Sequence, residues 1–352
     1  MIFKSSDWII FRCDGSFEQG LGHLSRCAVL AESLAPSTSF FVIRPDPVAE
    51  VFLKKKSLAC HTLPSVLSPE DEAEFLVYFA AEHDTRYVVL DKKDNCLDLV
   101  GALKKADLFV VDFEDRGPGR VLADILIDPH IWPATGDAAA GGSSFCGFGP
   151  DWTILHPIYA EFHELRKTGG HACREKARVS EVIVACGGSD PAGLTSQVLK
   201  TLDKQTESFR IMVAAGPGAH TSGPACQNHP VKVLRKTPLL ARSLYRSDLA
   251  FVSGGITMSE SLCLGVPTVV VPQHEEQFTN AGQFASKGAL LLTPPPSDPD
   301  FRIALEVVTG EALKEKGLRG SISQAGWSLV DGKGVQRLKN VFNLSKIEAP
   351  CI

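Results

Sequence analysis

Residues 7–34 read DWIIFRCDGSFEQGLGHLSRCAVLAESL, and the turn GLGHLSR at 20–26 is the part on which the reading of the fold depends. Upstream, Ile9, Ile10 and Phe11 form a short apolar run ending in Arg12, Cys13 and Asp14, the pattern of a buried strand that closes in polar groups. Downstream, Leu24, Cys27, Ala28, Ala31 and Leu34 recur at helical spacing, so a helix is predicted to begin near His23. Gly20, Gly22, His23 and Arg26 then lie at a helix N-terminus beyond the carboxyl end of a strand, where open α/β sheets bind ligands.

The pattern continues along the chain. STSFFVIRP (37–45), RYVVLD (86–91, closing in Asp91), LFVVDFED (108–115) and ADILIDPHI (123–131) are apolar runs with helical segments such as DLVGALKKA (98–106) between them. Strands alternating with helices predict a parallel sheet covered on both faces. GDAAAGGSSFCGFGP (136–150) is expected to be a loop, and the polar stretch 161–178 a linker. The pattern then restarts with EVIVACGGSDPAGLTSQVLKTL (181–202). It reads as a strand, a turn carrying Gly187, Gly188, Ser189 and Asp190, and a helix opened by Pro191. IMVAAGPG (211–218), DLAFVSGG (248–255) and TVVVPQ (268–273) are further strands, and TPPPSDPD (293–300) is a loop. The predicted fold class is α/β, with two Rossmann-like domains facing a cleft, 1–165 and 178–345. The helical last forty or so residues are expected to pack back across the junction.

Composition excludes several classes. With 44% hydrophobic residues and a net charge of −5, the 352-residue chain has no electrostatic footprint for nucleic acid or an anionic membrane. No stretch has the unbroken apolar length of a membrane span, and the opening MIFKSSDWII lacks a signal-peptide core, so a cytoplasmic protein without membrane insertion is expected. The ten cysteines are scattered with no CxxC pair, which reads as reduced thiols acting as small hydrophobes rather than as a metal site. No metal or cofactor is expected.

Three glycine pairs sit at predicted strand-to-helix turns: Gly20 with Gly22, Gly187 with Gly188, and Gly254 with Gly255. Glycine there allows positive φ and close backbone approach, and the helix end adds partial positive charge, a combination suited to phosphate. Ile256, Thr257, Ser259 and Glu260 follow the third pair. The hydroxyls can cap the helix and the carboxylate can hold a ribose diol, although a plain capping motif has the same spacing. His23 fits either a capping residue or a general base, which a helix N-terminus keeps neutral. Arg12 and Asp14 can orient it, or simply pair to fix the loop.

RCDGSFEQGLGHLSRCAVLA (12–31) resembles the signature of the UDP-sugar hydrolases of the pseudaminic-acid pathway and of the spore-coat polysaccharide proteins similar to them. Further matches are VVDFEDR (110–116), ILIDP (125–129), GPDWTILHPIYAEF (149–162), CGGSDPAGLT (186–195), SGGITMSE (253–260), EEQFTNA (275–281) and LVDGKG (329–334). The second half also resembles the nucleotide-sugar-binding domain of the glycosyltransferase that makes the lipid-linked disaccharide of peptidoglycan, and both families share a GT-B-type fold. The resemblance implies that His23 activates a water that attacks the anomeric carbon of a UDP-linked diacetamido sugar with inversion. It further implies that Gly255, Thr257, Glu260 and Gln277 hold UDP, that Asn280 supports the sugar, and that VKVLRKT (231–237), with Leu234, meets the uracil edge.

One departure stands out: LDKKDN (90–95) places Lys92 and Lys93 where the family shows His or Ser and then Tyr. These lysines can bind an anionic group on the sugar or be solvated. A GT-B glycosyltransferase with a hydroxyl acceptor and a UDP-sugar-binding module without turnover therefore stay open as alternatives.

Overall fold

β-branched and aromatic runs bounded by turn residues become strands, and the amphipathic stretches between them become helices. In a computed structural model, Ile9–Cys13 forms a fully buried strand β1 and Gly22–Leu34 forms helix α1. The structure describes residues 8–17, 20–34, 38–64, 67–131, 145–167, 178–188, 190–215, 226–235 and 240–344. The chain forms two compact units, Met1–Ile154 with Lys333–Ile352, and Leu155–Gly332.

In the first unit the chain continues through β2 (Ser39–Ile43), α2 (Pro47–Lys55), β3 (Ala59–Thr62), α3 (Pro69–Glu82), β4 (Tyr87–Asp91) and α4 (Leu97–Lys105). It then runs through β5 (Phe109–Phe113), β6 (Ile125–Asp128) and β7 (Phe145–Phe148). These seven strands make one sheet in the order β3-β2-β1-β4-β5-β6-β7, parallel throughout. Side chains alternate across it, as the strand period of two requires. Ile9, Phe11, Phe41, Val89, Val111 and Ile127 pack with α1 and α2 on one face. Ile10, Val42, Val88, Leu90 and Val110 pack with α3 and α4 on the other. Between β1 and β4 the connections leave in opposite directions, which opens the crevice at their carboxyl ends.

The second unit repeats the plan with α5 (Ile158–Lys167), β8 (Glu181–Ala185), α6 (Leu194–Asp203), β9 (Arg210–Ala215), β10 (Val231–Arg235) and α7 (Leu240–Arg246). There follow β11 (Leu249–Val252), α8 (Ile256–Cys263), β12 (Thr268–Val270), α9 (Glu275–Ala285), β13 (Leu291–Leu292), α10 (Phe301–Lys314) and α11 (Lys316–Leu329). Its six parallel strands are ordered β10-β9-β8-β11-β12-β13, so the crevice falls between β8 and β11. Helix α12 (Gly334–Leu344) belongs to the first unit, where Val335, Leu338, Val341 and Phe342 join the α1 face of the core.

Several boundaries differ from the sequence reading. The units divide after Ile154 rather than near 165, and the polar stretch from 161 begins inside α5, because buried Tyr159 and His163 give that helix an inward face. Phe145–Phe148, read as loop, is the edge strand β7 beside β6. Helix α6 starts at Leu194 rather than Pro191, because Asp190 adopts a left-handed conformation (φ 47°) and its carboxylate accepts from the N–H groups of Leu194 and Thr195 at 2.8 and 2.9 Å. Among the described residues no helix is long and apolar enough to cross a membrane.

Candidate functional site

The first unit gathers its charged residues where β1, β4 and β5 end. After β1 the chain makes a clip in which Ser16 and Gly20 exchange backbone hydrogen bonds (3.2 and 2.9 Å), with Gly20 at φ 82°. That positive φ is why glycine suits the position. Gly22 opens α1, and His23 follows it. His23 Nδ1 lies 2.6 Å from Oδ1 of Asp91, the fully buried last residue of β4. Arg26, one turn on, donates from Nε and from its terminal nitrogen to the two oxygens of Asp91 at 2.9 and 2.6 Å, and also pairs with Glu114 beyond β5. The Cys27 thiol donates to Asp91 at 3.4 Å.

Electrostatics fix the state of this group. Burial alone would push the Asp91 carboxyl up, but Arg26 and then His23 outweigh it and hold Asp91 well below the usual carboxylate range. An ionised acceptor at Nδ1 keeps a proton there and leaves the lone pair on Nε2, the arrangement a general base needs. Burial also opposes a charged imidazole, yet Asp91, with Glu114 adding to it, raises His23 above its ordinary value. The expectation that the helix N-terminus sets the ring's charge is thus corrected: a carboxylate in direct contact exceeds a half-charge spread over a helix end.

Asp14 and Arg12 do not orient His23. Arg12 is fully buried, grips both oxygens of Asp14 at 2.7 and 2.9 Å, and donates from Nε to Glu72 on α3 at 2.6 Å. Asp14 also accepts from the Arg44 N–H at 2.8 Å, so the pair braces the ends of β1 and β2. Lys92 donates to both oxygens of Glu72 at 2.7 and 2.9 Å and so completes a bridge to Arg12 rather than standing solvated. Lys93 is exposed.

The second unit brings its glycine turns to the β8/β11 crevice. Gly187 has φ 102°, Gly188 follows, and Ser189 lies outside the described residues. Gln273, beyond β12, donates to the Cys186 carbonyl (2.9 Å) and to Asp190 (3.1 Å), tying this turn down. Gln277 on α9 accepts from the N–H groups of Gly254 (3.1 Å) and Gln273 (2.9 Å), so its carbonyl shapes the turn. A Cβ at Gly254 would stand 2.9 Å from the Gln277 carbonyl oxygen, so that glycine is required for close approach.

Gly255 is the N-cap of α8 and offers no side chain to cap it. Tyr159 and Thr257 hydrogen-bond Glu260. Burial outweighs both of those bonds and pushes Glu260 up to about 7. Ser259 is buried, Ile256 and Asn280 are half-buried, and Leu234 lies on the edge strand β10. Edge strands keep backbone groups available to a ligand.

Sequence reasoning missed Glu72, Glu114, Tyr159 and Gln273, and gave Asp91 no role toward His23. The available signal was that both RYVVLD and VVDFED end in acids at predicted strand ends.

Two parallel-sheet α/β units with ligand-type crevices define the GT-B glycosyltransferase-like fold, and comparison with known proteins agrees. Residues 182–294 match the glycosyltransferase family 28 C-terminal domain. Over 341 residues the chain is 28% identical to the spore coat polysaccharide biosynthesis protein SpsG of Bacillus subtilis (strain 168), a match covering 94% of this chain and 96% of that protein. Among solved structures, MurG of Acinetobacter baumannii superimposes with a TM-score of 0.67 at 14% identity, covering 96% of this chain and 99% of that one. Phytolacca americana UGT2, complexed with UDP-2fluoro-glucose and pterostilbene, gives 0.61 at 12% identity with 96% and 99% covered. At such identities these two likenesses concern the fold.

Proposed function

We propose that this chain is a nucleotide-sugar-using enzyme of polysaccharide biosynthesis that hydrolyses a UDP-linked diacetamido sugar, with His23 as general base. The observation that carries the reading is the His23 Nδ1 contact with Asp91 at 2.6 Å, which leaves Nε2 to take a proton. In the step, a water oxygen bonds to the anomeric carbon while the bond from that carbon to the UDP oxygen breaks. His23 Nε2 takes the water proton, and free sugar of inverted configuration and UDP result. Asp91 stabilises the imidazolium as it forms, and Arg26 keeps Asp91 ionised.

In the second unit, the uncapped start of α8 and the turns at Gly187, Gly188, Gly254 and Gly255 would receive the diphosphate, Glu260 the ribose, and the β10 edge near Leu234 the base. Thr257 and Gln277 would then position Glu260 and the Gly254 turn rather than carry UDP alone. A second reading, transfer to an acceptor hydroxyl with the same base, is favoured by the match of 182–294 to the glycosyltransferase family 28 C-terminal domain.

The test is UDP release from purified protein supplied with UDP-linked diacetamido sugars and no acceptor, with NMR of the sugar product. Free inverted sugar supports hydrolysis, turnover only with an added acceptor supports transfer, and tight binding without either supports a module that binds alone.

A further inference from the structure

Beside the Asp91 group lies a buried cluster of acids that the proposed chemistry does not use. Asp112, in β5, and Asp115, two residues past its end, are 0% and 1% exposed, and Asn95, ahead of α4, is 0% exposed. The Asn95 side-chain amide donates to Oδ1 of Asp112 at 3.1 Å. The backbone N–H groups of Asn95 and Gly117 donate to Oδ1 of Asp115 at 2.9 and 2.8 Å. Three acceptors remain there, Oδ2 of Asp112, Oδ2 of Asp115 and Oδ1 of Asn95, buried and with no donor in reach. The backbone is packed closely around them: a Cβ on Gly117 would lie 2.2 Å from the Asn95 carbonyl oxygen.

Leaving such buried oxygens unsatisfied forfeits their hydration with nothing in return. One proton converts the surplus of acceptors into a donor–acceptor set, and it would let the neighbouring Asp112 and Asp115 carboxyls bond each other, since two ionised carboxylates only accept. We infer that Asp112 and Asp115 hold a single shared proton, and that Asp112, as a neutral acid, is a positioning residue that limits the negative charge beside the Asp91–His23 pair.

The surroundings agree. Burial, then Asp115, then Asp91 all disfavour charge on Asp112, against the single favourable hydrogen bond from Asn95, so its carboxyl titrates well above the usual range. From β6 the residue in register with it is Leu126, which offers no charge. If Asp112 ionised, the added anion near Asp91 would raise the basicity of His23 further and keep more of the base protonated at a given pH.

The consequence for catalysis rests on reading His23 as the base, whereas the experiments below detect the proton without turnover, so failure of either idea is distinguishable. Infrared spectroscopy of the full chain at neutral pH is expected to show a protonated carboxyl band, distinct from that of Glu260, which persists in E260Q and which D112N removes. NMR titration of His23 is expected to be unchanged in D112N, because the amide replaces a neutral acid. In D115N the new amide donates to Asp112 and lets it ionise, and the His23 titration is expected to move up by about half a unit or more. Absence of the band in the unaltered protein, as two ionised carboxylates or a bound cation would give, overturns the inference. So does a downward shift of His23 in D112N, the signature of removing a real charge. An unmoved His23 in a folded D115N overturns the tuning role.

Discussion

His23 takes its properties from one contact. With Asp91 at Nδ1 and Arg26 holding Asp91, the imidazole is both oriented and made more basic. His23→Ala is expected to lower turnover by about a hundredfold or more with UDP affinity retained, as the loss of a general base does, measured by steady-state UDP release and calorimetry. If His23 is the base, as proposed, the neutral ring is its active form, so kcat/KM should rise with pH through a value above the ordinary 6.5, and Asp91→Asn should move that limb down while cutting kcat. The stability sign follows: the raised His23 value contributes stability fully present below 6.5 and lost as pH climbs through the folded-state value. Glu260, pushed up to about 7, gives a separate profile. UDP affinity should increase as pH rises through that value and lose this dependence in Glu260→Gln, checked by calorimetric titration. The place of His23 at the head of α1 was legible from GLGH, and its contact with Asp91 was not. Asp14 was nearer in sequence, but Arg12 claims both of its oxygens, whereas Asp91 arrives from 68 residues away.

At the scale of elements, turns and helix ends decide what the strands present. Gly254→Ala puts a methyl against the Gln277 backbone, an overpacking expected to cost about 1–3 kcal/mol and to weaken UDP binding, read by urea unfolding and calorimetry. The strands β1, β4, β5, β6, β8 and β11 were legible as apolar runs because burial on both faces removes any need for alternation. The short edges β7 and β13 were not, since Phe145–Phe148 sits in a glycine-rich stretch and Leu291–Leu292 is only two residues long. The start of α6 was misplaced because Pro191 is a good first-turn residue, yet the left-handed Asp190 supplies the cap further on. Helix α12 was foreseen as returning, and its anchor is Leu338, 1% exposed among residues of the first core. Leu338→Ala should destabilise the first unit by about 2–5 kcal/mol in chemical denaturation.

For the whole molecule, two similarly built units invite separate tests. UDP at about a hundred times its dissociation constant should stabilise the folded chain by about 2.7 kcal/mol, and Glu260→Ala should reduce that gain at the same concentration, a thermal-shift comparison. The sequence by itself determined the α/β class, the parallel sheets implied by crossover helices, the glycine turns and the histidine at the head of α1. These follow from periodicity and turn chemistry, which are written in neighbouring residues. Only the tertiary structure decided that Asp91 rather than Asp14 serves His23, that Lys92 is held by Glu72, that Tyr159 meets Glu260 and that Asp112 and Asp115 share a buried place. Those pairings join residues far apart in the chain. Which acid keeps its charge depends on the donors and burial that the assembled sheet provides, and these exist only once its strands lie side by side.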